Sequence, residues 1–175
     1  MSNNHQNLNI ILTGFMGSGK STVGMLVAKR LEKDFVDTDT VIRQLYGPIP
    51  EIFEKEGEES FREYEREISR QLAPKTDLVI ATGGKLLLDP INVEALSQNG
   101  RIFCLSAPID EIIERLLKED RSKRPLLDSN DFEERIKEIY NRRQDAYATF
   151  EQVDTDGQSP SEIAIEISNR LLPEE

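Results

Sequence analysis

Cysteine is almost absent from this 175-residue chain. The one cysteine, Cys104, has no partner for an internal disulfide, which excludes a disulfide-stapled scaffold and suits a reducing compartment. It stands in the apolar run Ile102-Phe103-Cys104-Leu105, where it reads as a small buried hydrophobe, the alternative being a reactive thiol. Histidine is as scarce: His5 alone, in a polar N-terminal stretch that reads as a frayed end, residues 1–7, and not as a ligand site. No apolar run approaches the roughly 20 residues that span a bilayer. The first residues also lack the basic start and apolar middle of a signal peptide. Both absences lead to the expectation of a cytoplasmic protein without a membrane partner. Positive charge is in deficit, with 22 Lys and Arg against 33 Asp and Glu and a net charge of -11. Such a chain repels phosphate backbones, so nucleic acid is not an expected partner, although charge inside a cleft can differ from the sum. There is no internal repeat, low-complexity tract or dividing linker. The whole length, 1–175, therefore reads as one domain, large enough to bury a core without staples and expected to act as a monomer.

What is present is an alternation of short apolar runs and longer helical patterns in a chain 37% apolar and 31% charged. Strands are predicted at 8–13, 34–36, 78–82, 101–106 and 152–153. Helices are predicted at 20–31, 40–45, 51–56, 58–73, 90–97, 108–117, 132–150 and 161–172. Pro90 is expected as a first helical residue. The segment 119–129 reads as a polar, charged loop. Strands alternating with helices imply right-handed crossovers and an α/β three-layer sandwich around a five-stranded parallel sheet.

Between the first strand and the first helix stands Gly14-Phe15-Met16-Gly17-Ser18-Gly19-Lys20-Ser21, which fits the phosphate-loop pattern G-x-x-x-x-G-K-[ST]. Glycines let such a loop curl so that backbone N–H groups point inward at phosphate oxygens. The helix that follows adds its positive N-terminal end. Lys20 is placed to reach the β- and γ-phosphates of ATP, and the Ser21 hydroxyl to ligate Mg²⁺. The bland alternative is a glycine-rich turn beside a surface lysine. The strand before and the amphipathic helix after it favour the phosphate loop.

Phosphate binding does not define an acceptor. Asp37-Thr38-Asp39 ends the second strand, at the edge where open α/β sheets bind ligands. One carboxylate there can hold Mg²⁺ through water and the other can take the proton of an attacking hydroxyl. The alternative is a helix N-cap. Gly83-Gly84 closes the third strand at the same edge, where glycine permits close backbone approach, or simply a turn. Arg62 and Arg143 lie in charged helices and read on their own as halves of surface ion pairs. Arg121, Lys123 and Arg124 form a basic cluster before Pro125-Leu126-Leu127, either a solvated loop or a lid, 119–129, over ATP.

Taken in order, these residues resemble the shikimate kinase family from about Leu8 to Asp154. The matching runs are Gly14 to Gly24, Asp37-Thr38-Asp39, Ile52-Phe53, Gly57-Glu58 with Phe61-Arg62, Ala81-Thr82-Gly83-Gly84, Arg124-Pro125-Leu126-Leu127, and Arg143 with Tyr147. The phosphate loop is common to many families; the remaining motifs in this order are far more specific. The resemblance implies ATP-dependent phosphorylation of the 3-hydroxyl of shikimate. It implies ATP contacts from Gly17, Ser18, Gly19, Lys20, Ser21 and Thr22, and Mg²⁺ held by Ser21 and, through water, by Asp37. Asp39 is implied as acceptor ligand and base. The acceptor carboxylate would lie on Arg62 and Arg143, with the ring against the Gly84 backbone. Lys20 and the lid residue Arg124 are implied at the transferring phosphate. Arg115, or alternatively Arg121, falls where an arginine packs on adenine. Residues 38–73 are implied as the substrate-binding region.

The chain departs from the family's pattern at Lys85, where a third glycine is usual, and at Arg43, where an acid is common. The segment Gly47-Pro48-Ile49-Pro50 is one residue short, and the stretch from Arg115 to Arg124 is slightly long. Lys85 either points to solvent or adjusts the acceptor pocket toward another hydroxylated ring acid. A nucleotide-binding module without catalysis is a further alternative, against which the intact Lys20, Ser21, Asp37 and Asp39 stand.

Overall fold

The computed structural model describes residues 7–118 and 131–171. The expected lid, 119–129, with Arg121, Lys123 and Arg124, and the N-terminal stretch with His5 lie outside the described residues.

Five parallel strands form the sheet: β1 (Asn9–Thr13), β2 (Asp34–Asp37), β3 (Leu78–Ala81), β4 (Gly100–Ser106) and β5 (Glu151–Asp154), in spatial order β2-β3-β1-β4-β5. Around them run α1 (Lys20–Leu31), α2 (Thr38–Tyr46), α3 (Ile49–Lys55), α4 (Gly57–Leu72), α5 (Pro90–Ser97), α6 (Ile109–Lys118), α7 (Phe132–Tyr147) and α8 (Pro160–Asn169). This is the three-layer α/β arrangement that the alternation implied. β1 and β3 are buried along their whole length; β3 is apolar throughout and β1 is apolar between Asn9 and Thr13, as parallel strands covered on both faces tend to be. Alternate side chains divide the core. Ile10, Leu12, Phe103 and Leu105 pack with Val23, Val27 and Ile163 under α1 and α8. Ile11 and Ile80 pack with Ile42, Phe61, Ile68 and Leu96 on the other face.

The element limits differ from the sequence reading where side chains supply capping. α2 begins at Thr38 and not at residue 40, because the Asp37 side chain accepts from Thr40 N at 3.0 Å and closes the first turn. α3 begins at Ile49, taking Pro50 into its first turn, where the missing N–H costs nothing; Pro50 starts a helix there and does not break one. α7 stops at Tyr147, three residues early, since the Gln152 amide donates to the carbonyls of Tyr147 and Phe150 at 2.8 Å each. α5 matches its expected limits, with Asp89 as cap and Pro90 first. Among the described residues, no helix is long and apolar enough to cross a membrane.

Register places the functional edge. Asp37 lies level with Ala81, and Ala81 level with Leu12. The C-terminal ends of β2, β3 and β1 therefore open onto one rim, each followed by a motif singled out above: Asp37-Thr38-Asp39, Gly83-Gly84 and the phosphate loop.

Candidate active site

The phosphate loop owes its path to glycine at three left-handed positions, Gly14 at φ 138°, Gly17 at 77° and Gly19 at 90°. At Gly14 a Cβ would also lie 2.4 Å from the Leu105 carbonyl oxygen, so only glycine fits between the loop and β4. α6 packs beneath: a Cβ on Gly17 would stand 3.1 Å from the Leu116 side chain. Ser18 is buried, and its Oγ has no hydrogen-bond partner among the described residues. Lys20 Nζ donates to the carbonyls of Gly14 and Phe15 at 2.8 and 3.0 Å, which bends its ammonium back over the loop. Thr22 follows in the exposed first turn of α1.

Ser21 Oγ donates to Asp37 Oδ2 at 2.6 Å while Asp37 Oδ1 caps α2. The N-cap reading of Asp37 thus holds through one oxygen, and the other is left to the Ser21 hydroxyl. A hydroxyl and a carboxylate in contact form a hard oxygen pair of the kind Mg²⁺ accepts while keeping several waters and adding phosphate oxygens. Among the described residues, no group of three or more His, Cys, Asp or Glu could hold a metal without such help.

Asp39 sits in the first turn of α2, against the glycine turn after β3. A Cβ on Gly83 would lie 2.6 Å from Asp39 Oδ1 and 3.2 Å from Glu65 Oε1, so glycine at 83 is what lets the two carboxyls close on the backbone. Thr38 Oγ1, fully buried, accepts from Gly83 N at 2.9 Å and locks the turn to α2. Burial, reinforced by Asp37, pushes the Asp39 carboxyl above its ordinary range; Lys20, Arg43 and Arg62 oppose the rise. Charges from the phosphate loop, α2 and α4 therefore meet at Asp39.

Arg62 projects from α4 into the same corner. Its Nη1 donates to Glu65 Oε2 at 2.6 Å, and its Nε and Nη2 donate to Glu58 Oε1 at 3.3 and 3.1 Å. The surface-pair reading of Arg62 is therefore incomplete, since Glu65 is 1% exposed. Burial drives the Glu65 carboxyl up to about 7, with Arg62 pulling the other way and Asp39 adding to the rise. Arg143 reaches the turn from α7: its Nη1 is 4.0 Å from where a Gly84 Cβ would stand, and its guanidinium is 5.9 Å from the Phe15 ring centre. Tyr147, one helical turn on, donates its hydroxyl to the Gly84 carbonyl and fixes that peptide's orientation.

Arg115, on α6, pairs with Glu111 and donates to the Thr155 carbonyl at 3.1 Å and its Oγ1 at 3.3 Å. It is tied to the loop after β5, beside the phosphate-loop support and away from Arg62. Lys85, with a negative φ of -108°, donates to Glu58 Oε1 at 2.7 Å. It does not enter the space before Asp39. A cleft of about 260 Å³ lined by Phe15, Cys104, Tyr140 and Tyr147 lies behind the phosphate loop, apart from Asp39 and Arg62. Cys104 is buried and its thiol is pushed up to about 11, which makes it inert packing.

Glu65 and Thr38 escaped the sequence reading as functional residues. A signal for Glu65 existed: with Phe61, Ile68 and Leu72 it lies on the apolar stripe of α4, an acid where a hydrophobe belongs.

A parallel sheet with a phosphate loop after β1, a hydroxyl–carboxylate pair beside it and a buried carboxyl opposite an arginine defines a P-loop kinase acting on a small molecule. The chain belongs to the shikimate kinase family: the family model described as shikimate kinase matches residues 16–172. It is 47% identical over 161 residues to the shikimate kinase of Thermodesulfovibrio yellowstonii, covering 91% of this chain and 92% of that one. The structure of shikimate kinase from Acinetobacter baumannii in complex with shikimate superposes with a TM-score of 0.85 at 33% identity, covering 94% of this chain and 92% of that one. The Aquifex aeolicus shikimate kinase gives 0.80 at 35%, covering 94% and 96%. A gluconokinase from Sinorhizobium meliloti, 20% identical with a TM-score of 0.64 and covering 93% of this chain and 90% of that one, shares the fold.

Proposed function

We propose that this kinase transfers the γ-phosphoryl group of ATP to the 3-hydroxyl of shikimate, giving shikimate 3-phosphate and ADP. The observation that carries the reading is the meeting of Asp39, Arg62 and the Gly83-Gly84 turn on the rim beside the phosphate loop. An acceptor held there must present a hydroxyl to a carboxylate and an anionic group to guanidinium.

The backbone of Gly17, Ser18 and Gly19 receives the phosphates, with Lys20, Ser21 and Thr22 at the start of α1. Ser21 and Asp37 would hold Mg²⁺, which when bound neutralises charge on the β- and γ-phosphate oxygens. Arg115 packs near the adenine, at the loop after β5 that its hydrogen bonds reach. Arg124 belongs to the lid segment outside the described residues, and its place at the transferring phosphate rests on the family resemblance. Arg62 and Arg143 take the acceptor carboxylate, a task for which the planar guanidinium suits better than an ammonium. The Gly84 peptide, held by Tyr147, meets the ring.

As the acceptor oxygen attacks the γ-phosphorus and the bond to ADP breaks, the hydroxyl proton passes to Asp39. A carboxyl raised by burial is a better proton acceptor than an ordinary aspartate. The remaining work is alignment and charge neutralisation. We place the enzyme in the cytoplasm, which its lone, unpaired cysteine suits, and as a monomer.

The test is ADP release, coupled to a spectroscopic readout, with shikimate and with related hydroxylated ring acids. Shikimate is expected to be the preferred acceptor. Asp39→Asn is expected to lose roughly two or more decades of kcat while the KM for ATP stays near its wild-type value. A folded enzyme without turnover on shikimate overturns the acceptor, and near-normal Asp39→Asn turnover overturns the base.

A further inference from the structure

Lys85 stands where the family usually has glycine, directly after the turn that faces the acceptor. Its backbone φ of -108° is one that any residue adopts, so the lysine causes no strain there. Its side chain leaves the turn and spans to α4, where its Nζ meets Glu58 Oε1 at 2.7 Å. The same oxygen accepts from Arg62 Nε and Nη2. One carboxylate oxygen thus joins the acceptor turn to the acceptor arginine.

The charge balance of this group is informative. Arg62 touches two carboxyls, Glu58 and Glu65. With both ionised that trio is net negative and repels an incoming carboxylate, and with Glu65 protonated Glu58 alone still cancels the guanidinium charge. Lys85 restores the balance. The Glu58 carboxyl is held below its ordinary range, first by the hydrogen bond from Lys85 and next by that from Arg62. Donor count points the same way. Of the five N–H groups of a guanidinium, Arg62 commits Nε, one on Nη2 and one on Nη1. One N–H on each terminal nitrogen remains for an incoming carboxylate.

We propose that Lys85 is a positioning residue for acceptor binding: by sharing Glu58 with Arg62, it fixes the guanidinium relative to the Gly83-Gly84 turn and offsets the acid that holds it. This rests on the acceptor role given above to Arg62. Lys85 does not touch the acceptor and does not change its identity; it sets how strongly the carboxylate is held. Both members of the pair are well exposed, at 39% and 54% of their side chains. Exposed pairs add little to folding, so the effect belongs to binding and not to stability.

The experiment is steady-state kinetics and thermal unfolding of the full chain as wild type, Lys85→Met, Lys85→Arg, Glu58→Gln and the Lys85→Met, Glu58→Gln double variant. Lys85→Met is expected to raise the KM for shikimate by about threefold to tenfold, with kcat and the KM for ATP within about twofold and Tm unmoved. Lys85→Arg is expected to restore the KM. In the Glu58→Gln background the Lys85→Met effect is expected to shrink, since the acid it offsets is gone. An unchanged shikimate KM in Lys85→Met overturns the proposal, as does a joint fall in Tm and kcat that Lys85→Arg leaves in place. Wild type is measured first: absence of turnover on shikimate there strikes the acceptor reading itself and takes the role of Lys85 down with it, whereas an active wild type with indifferent variants strikes Lys85 alone.

Discussion

Glu65 shows at the residue scale how a binding site is made at the expense of comfort. It is an acid on the apolar stripe of α4, faced by Asp39, Arg62 and Lys85, and its carboxyl titrates near 7 where an ordinary glutamate titrates near 4.5. Between those values the folded protein keeps a proton that the unfolded chain has released. The stability associated with the protonated carboxyl is therefore complete below about pH 4.5 and is lost as pH rises to about 7. Asp39, also raised, adds to the same slope. Glu65→Gln keeps an acceptor for Arg62 and removes one titration. Its Tm relative to wild type is expected to climb as pH rises across that window, because only the wild type has this buried carboxyl to deprotonate. A difference that stays flat from pH 4.5 to 7, measured by thermal melts in matched buffers, would mean that Glu65 is ionised throughout. Of the site residues, those that act through backbone shape or a short motif were legible in the sequence: the phosphate loop, Asp37 and Gly83-Gly84. Arg62 and Lys85 were visible as cations, but their shared carboxylate was not. Lys85 and Glu58 are far apart in the chain, and only the docking of the β3 turn on α4 brings them to 2.7 Å.

At the scale of elements, α1 links core packing to the Ser21–Asp37 pair. Gly24 lies on its buried face, and a Cβ there would stand 2.6 Å from Phe35 Cε2. Phe35 belongs to β2, which ends at Asp37, the partner of Ser21 at the head of the same helix. Two effects of Gly24→Ala compete. Alanine improves helix propensity by about 1 kcal/mol, while crowding a packed core costs roughly 1–3 kcal/mol. The contact is with a half-buried aromatic ring packed against the core, with Leu12 Cδ1 also only 3.4 Å away, so crowding wins and Tm is expected to fall by a few degrees. Displacement of β2 should also weaken the Ser21–Asp37 alignment, seen as a higher magnesium concentration for half-maximal rate. A variant melting above wild type would show that Phe35 moves aside freely. The elements themselves were largely readable, because strand and helix periods alternate cleanly and prolines and glycines punctuate them. What was misread follows from side chains acting across the boundary: Asp37 starts α2 two residues early and Gln152 ends α7 three residues early. Neither bond is implied by hydrophobic period.

The whole molecule carries a net charge of -11 and yet is built to bind two anions. It does so by gathering cations at one rim of the sheet: Lys20 on the phosphate loop, Arg62 from α4 and Arg143 from α7. On the proposed reading, the donor side is framed by β1, α1 and α6, and the acceptor side by α2, α4, the β3 turn and α7. Each ligand binds the folded chain alone, so each should stabilise the fold on its own account. A ligand at a hundred times its Kd adds about 2.7 kcal/mol to the folded state. At about 2–4 °C per kcal/mol for a domain of this size, shikimate at that concentration is expected to raise the wild-type Tm by roughly 5–10 °C. Arg62→Ala removes the guanidinium and leaves two carboxyls facing the acceptor, so repulsion replaces attraction. Its melt is expected to be indifferent to shikimate at the same concentration, read against its own ligand-free baseline. The shift produced by ATP with magnesium should persist in that variant, because among the described residues no donor-side hydrogen bond involves Arg62. Retention of the shikimate shift in Arg62→Ala would move the carboxylate site away from α4 and leave Arg143 as its holder.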